Sequence, residues 1–158
     1  MATSSRVHVI KSNLADQLAL RAGLSGVAIY TAVPLSEAEG ETEFIAFDGQ
    51  DEISQEWGAL GRLTREEIVT LNAFVWARRG GAGESIIRAV RARVVALFAE
   101  VEGYFVETKP QNRIAVAGVN TVDTSLCRAT WLRESIDGEG RVAELGFQVR
   151  CTSRLTAT

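Results

Sequence analysis

The chain has 158 residues, 46% of them apolar, and carries a formal net charge of −3 from 17 basic and 20 acidic side chains. That length and apolar fraction allow one domain, 1–158, to build a real core without disulfides or a metal, while the negative balance argues against a nucleic-acid grip by clustered Lys and Arg. The longest apolar run, residues 94–99, is far short of the roughly 18 residues of a membrane span, and Arg6, His8, Lys11 and Asp16 stand where a signal peptide needs an apolar block, so a soluble chain made in the cytoplasm is expected.

In chain order, Val7, Ile10, Leu14 and Leu18 recur at three- and four-residue spacing and predict an amphipathic helix over 6–21. Ser4 or Ser5 is its expected cap, and Gly23 followed by Leu24 its expected left-handed stop. The β-branched and aromatic run 26–34 predicts a strand ended by Pro34, which cannot donate to a ladder. Next come SEAEGETE (36–43) and DGQDEISQE (48–56), with eight carboxylates and no basic side chain between them. Their default reading is a solvated loop, and the sharper one a surface that repels anions. Short strands are expected at 42–47 and 53–61.

The longest strand expected is 65–78. Val69, Leu71, Ala73 and Val75 share one side, and Ile68, Phe74 and Trp76, interrupted by Thr70 and Asn72, share the other. Helices should cover the first side and another surface part of the second, the first hint of assembly. A glycine turn at 80–83 then leads into a helix whose stripe is Ile87, Val90, Val94, Leu97, Phe98 and Val101, closing through Gly103 and Pro110. A strand over 112–123 and a terminal hairpin turning at DGEG (137–140) complete the chain. Alternation in the hairpin predicts that Cys127, Ala129 and Trp131 face the core together with Ala143, Leu145, Phe147, Val149 and Cys151, with the two cysteines near one another as reduced core residues.

Few side chains of the chain carry catalytic chemistry in a recognisable pattern. The glycine turn lacks the lysine and hydroxyl of a G-x-x-x-x-G-K-[ST] loop, and Glu84 in the first helical turn would repel a bound phosphate, so a plain strand-to-helix turn is expected. His8 is the sole histidine, no G-x-S-x-G elbow occurs, and the acidic clusters lack the calcium-loop pattern. Glu66 and Glu67 are strand neighbours pointing to opposite faces, unable to flank one glycosidic bond. Trp57, Trp76 and Trp131 sit in strand patterns, where core or subunit contacts explain them more cheaply than ligand stacking. No catalytic, cofactor or metal residue is predicted.

The order of parts, with QEWGALGRLTREEI (55–68), the strand end VWARRGG (75–81), the helix RAVRARVVALFAEVE (88–102) and the last strand ELGFQVRCTSRL (144–155), resembles the tail terminator proteins of long-tailed bacteriophages. The resemblance implies an α/β (α+β) subunit: a mostly antiparallel sheet with an N-terminal helix and a second long helix packed on one face. It also implies a hexameric ring at the head-proximal end of the tail tube, which stops tube polymerisation and joins the tail to the filled capsid. The partners would be other copies of the chain, the tail tube protein and a head-completion or connector protein, with DNA passing through the channel unbound and no membrane. Trp57, Arg62, Arg65, Glu66 and Trp76 are the expected interface residues, the two arginines because they lie in a turn bounded by acidic residues and can set the register of a contact. Glu37, Glu39, Glu41 and Glu43 are the expected channel residues, since six copies at −3 give −18 and carboxylates keep phosphates from sticking. Two other readings stand beside it: a different head-to-tail connector such as a stopper or adaptor, and a small-molecule-binding or hydrolytic α/β domain, which would need a pocket with convergent polar groups.

Overall fold

The computed structural model describes residues 7–36, 38–57, 64–107, 113–116 and 119–156. Helix α1 spans Val7–Ala19 and buries Ile10, Leu14, Ala15 and Leu18. Its expected caps at Ser4 and Ser5 lie outside the described residues. The stop differs from expectation: residues Ala22–Leu24 wind into a 3-10 turn, and the positive φ falls at Gly26 (79°) instead of Gly23.

The strands are β1 (Ala28–Tyr30), β2 (Glu43–Phe47), β3 (Glu52–Trp57), β4 (Thr64–Arg79), β5 (Arg113–Val116), β6 (Val119–Asp137) and β7 (Gly140–Thr156), with helix α2 (Glu84–Glu107) between β4 and β5. They form one seven-stranded sheet in the order β1-β2-β4-β7-β6-β5, with β3 paired to β4. Strands β1 and β2 run parallel, and the other pairs among the described residues are antiparallel. This is the α+β arrangement expected from the resemblance, with both helices in one hydrophobic core on one face of the sheet.

The alternation in β4 explains that layering. Val69, Leu71, Ala73, Val75 and Ala77 are buried under the helices, and Ile68, Thr70, Asn72, Phe74 and Trp76 are half-buried on the other face. On α2 the stripe Val90, Val94, Leu97, Phe98, Val101 and Phe105 is buried. Because Phe105 prolongs it, the helix runs straight through Gly103, where an ending had been expected, to Glu107. Fully burying each such side chain is worth about 1.5–3 kcal/mol. The predicted strand 26–34 shrinks to three residues, and the stretch 112–123 turns back on itself as β5 and the start of β6.

The terminal hairpin departs from simple alternation. On β7 the odd residues from Ala143 to Cys151 are buried as predicted. Strand β6 carries two bulges: its partners step from Thr124↔Cys151 to Leu126↔Arg150 and from Ala129↔Phe147 to Trp131↔Gly146, leaving Ser125 and Thr130 as extra residues. Each bulge flips the phase. Beyond Thr130 the even residues Leu132, Glu134 and Ile136 share the helix side, and Trp131, expected in the core, lies on the opposite face, 44% exposed.

Cys127 pairs with Val149, one step from Cys151, and neither cysteine is in a disulfide. Burial above all, with the negative charge of Glu102 and the neighbouring Cys151 adding to it, pushes the Cys127 thiol up to about 12. Since the thiolate is the reactive form, Cys127 is expected to resist iodoacetamide at neutral pH in the folded protein and to react fully in denaturant, as mass spectrometry of the alkylated chain would show. Labelling of the folded protein at the rate of a free cysteine would contradict this.

Candidate assembly interface

One row of residues organises the upper half of the subunit. The register runs Glu43↔Ala77, Ala77↔Ala143 and Ala143↔Glu134, so Glu43 and Glu134 mark the same height on opposite flanks of a four-strand span. Helix α2 crosses above the two buried alanines and reaches both flanks. Arg93 grips the Glu43 carboxylate through two hydrogen bonds of 2.8 and 2.7 Å, and Arg91 grips Glu134 at 2.6 and 3.1 Å. Arg79 adds a third cation 3.9 Å from Glu43. The hydrogen bonds from Arg93 hold the Glu43 carboxyl below its ordinary range, against an opposing effect of burial.

A carboxyl whose folded pKa lies below its unfolded one contributes stability in full above the ordinary carboxylate range and loses it as pH falls through and below that range. Glu43→Gln is therefore expected to lower the melting temperature at neutral pH and to flatten its decline on acidification. Thermal unfolding followed by circular dichroism across pH would check this; an unchanged acid slope would contradict it.

Beside this row lies a groove of about 400 Å³ between the first turns of α2 and the outer half of β6, lined by Ile87, Val90, Ile136 and Val142 with Glu134 and Arg141 among them. Its wall is tied to the glycine turn, since Arg141 donates from a terminal nitrogen to the Ala82 carbonyl at 3.2 Å. Ile136 (66% exposed) and Leu132 (46%) leave much of their surface in water. From Thr124 to Asp137 the outer edge of β6 has no strand neighbour among the described residues, because β5 pairs only with residues 119–123.

Among the described residues no helix covers the other face of the sheet, which carries aromatic contacts of its own. Phe44 stacks on Trp76 at 4.9 Å between centroids, Tyr30 and Phe74 meet Phe44 edge-on, and Arg78 lies over Trp76 at 5.3 Å. Across a polar middle, where Gln148 donates to Asn72 at 2.9 Å, Arg133 caps Trp131 at 5.2 Å and also pairs with Glu144. The Trp131 ring lies against Gly146, where a Cβ would come within 2.2 Å of it.

No protein-family model and no curated protein matches the chain. Among solved structures it is similar to a chain of the virion of a native gene transfer agent (GTA) particle. The TM-score is 0.57 at 18% identity, covering 94% of this chain and 98% of that chain. The likeness shows that the two share a fold over nearly their whole lengths.

The residues singled out in the sequence fall in separate places. Trp57 and Arg65 are register partners at the lower end of β3 and β4, and Glu66, next to Arg65, is exposed. Trp76 lies at the other end of β4, about 34 Å away at the rise of a strand. Arg62 and Glu37 lie outside the described residues. Glu39 and Glu41 sit in the exposed loop before β2, whereas Glu43 is engaged by Arg93 and Arg79 and has its charge offset within the subunit. His8 is exposed on α1, and no group of three or more His, Cys, Asp or Glu among the described residues could hold a metal. No helix is long and apolar enough to cross a membrane among the described residues. The groove escaped the sequence reading because Ile87 and Ile136 come from elements far apart in the chain, and the bulge at Thr130 that turns Ile136 to the helix side leaves no mark in the alternation.

Proposed function

We propose that the chain is a structural virion protein, a tail terminator that forms a ring at the head-proximal end of a phage-like tail tube, stops its polymerisation and joins tail to head. The observation that carries this reading is the shared fold with a chain of a gene transfer agent virion, extending over 94% of this chain. The sequence resemblance supports the terminator role in particular. The shape of the surfaces agrees with it: the grooved flank and the loop flank differ, and a head-to-tail contact between unlike patches closes into a ring when its rotation divides a full turn. A net charge of −3 per copy lets DNA pass through such a ring without adhering. The ring's partners are the tail tube protein below and a head-completion protein above.

The test is particle assembly without this protein. Tails of uncontrolled length and heads lacking tails are expected by negative-stain microscopy. Tails of normal length would sink the terminator reading, and if antibody label on intact particles sat against the portal, clear of the tube end, a stopper or adaptor would replace it.

A further inference from the structure

We propose that the ring closes through charge on the sheet face opposite the helices, where an acidic strip on β3 and β4 of one copy meets a basic strip on β6 and β7 of the next. This deepens the terminator reading and rests on its ring. The register places both strips. One row runs Glu52↔Thr70↔Arg150↔Leu126 from β3 to β6, and the row above it runs Asn72↔Gln148↔Arg128. Register partners share a face, and Thr70 and Asn72 lie on the one opposite the helices, so Glu52, Arg150 and Arg128 lie there too. Glu66 is on that face of β4, directly across from Glu56 of β3. All five of these side chains are exposed.

The strips carry equal and opposite charge. Glu52, Glu56 and Glu66 make no ion pair among the described residues, whereas Glu43, Glu134 and Glu144 each answer an arginine. Glu56 and Glu66 face one another on neighbouring strands, a like-charge pairing that costs stability. Arg154 continues their row on β7, so three carboxylates stand against one arginine, −2. On the other flank Arg128 and Arg150 make +2. Arg128 donates to the neutral Gln148 amide at 3.3 Å, and Arg133 above it is already matched by Glu144. A second copy is the occupant because it brings both complements with it: each strip finds its opposite sign on the other flank of the same chain, as a head-to-tail contact requires.

Strand sense agrees with that partner. Three antiparallel pairings separate β3 from β6, so the two run oppositely within a subunit, about 14 Å apart at three interstrand gaps. Rotation about an axis along the strands preserves both senses, so β3 of one copy and β6 of the next meet antiparallel. Among the described residues β3 pairs with β4 alone, and the outer edge of β6 is unpaired from Thr124 onward. Backbone donors and acceptors on both edges are therefore open to the contact that the charges align.

The experiment uses the full chain in two charge-reversed forms, one with Glu52→Lys, Glu56→Lys and Glu66→Lys together and one with Arg128→Glu and Arg150→Glu. Exposed charges contribute little to folding, and melting temperatures verify that each form folds. Native mass spectrometry is expected to show rings for the wild type, alone or released from tail tubes, and monomers for each form by itself. An equal mixture should restore rings in which the two forms alternate, because one form then carries two basic strips and the other two acidic ones. Wild-type rings, which involve no substitution, should come apart between about 0.1 and 1 M salt as the screening length falls from about 10 to 3 Å. Rings from either form alone, no rings from a mixture of two folded forms, or wild-type rings indifferent to salt would overturn this contact while the ring stands. A form that keeps its rings but no longer sediments with tail tubes would likewise overturn it and give the strip to the tube protein. A wild type that stays monomeric both alone and on tail tubes would remove the ring reading and this contact with it.

Discussion

Phe147→Ala is expected to destabilise the chain by about 3–5 kcal/mol, the range for deleting a phenyl ring from a packed core. Phe147 is 1% exposed and stands in the middle of β7, its ring 5.5 Å from that of Phe98 on α2. Its register partners are Ala73 on β4 and Ala129 on β6. Two small neighbours in one row mean that this single ring fills the space between sheet and helix across three strands. Nothing on either side is large enough to move into the hole, so the cavity stays open and the cost lies toward the upper end. Urea denaturation would measure it, with Phe147→Leu as a milder companion. A loss for Phe147→Ala below about 1.5 kcal/mol, the range of well-tolerated hydrophobic swaps, would mean that α2 settles onto the sheet more freely than its packing implies.

Gly140→Ala is expected to be nearly as damaging despite adding one methyl group at an exposed turn. Gly140 has φ of 147°, and a Cβ there would lie 2.1 Å from the Arg79 carbonyl oxygen and 2.9 Å from the Gly80 Cα. Both obstacles are backbone, so relief requires the hairpin tip to lift off the end of β4. That adds to the roughly 1–3 kcal/mol of a residue held in a sparsely populated conformation. Lifting the tip also breaks the ion pairs of Arg78 with Asp137 and Glu139. Gly138→Ala is the control, since a Cβ there meets nothing within 4 Å and its φ is not positive. Hydrogen exchange at the amides of 77–79 and 141–143 should quicken in Gly140→Ala and stay at the wild-type rate in Gly138→Ala. Equal behaviour of the two variants would refute the steric account.

These two sites also mark where sequence reading succeeds and stops. Phe147 was legible as core because β7 keeps strict alternation from Ala143 to Cys151, and burial on a regular strand depends only on the count of residues. The stripe of α2 and the two-sided pattern of β4 were legible for the same reason. Trp131 was not: its side is set by how β6 pairs with β7, and a bulge is a property of two strands that neither strand states alone. Charge followed the same division. The acidic content of 36–43 is plain in the sequence, but that Glu43 belongs to Arg93 while Glu39 and Glu41 stand in the exposed loop depends on where α2 crosses the sheet.

Strand β6 is in effect three short strands spliced out of phase at Ser125 and Thr130. Removing Thr130 alone, with every other side chain kept, takes out the residue that has no register partner in that stretch and joins Ala129↔Phe147 directly to Trp131↔Gly146, so Trp131 keeps its seat on Gly146 and Leu132, Glu134 and Ile136 stay on the helix side. A relative of this chain one residue shorter at that point is therefore expected to show plain alternation through its hairpin while placing the same side chains on the same two faces.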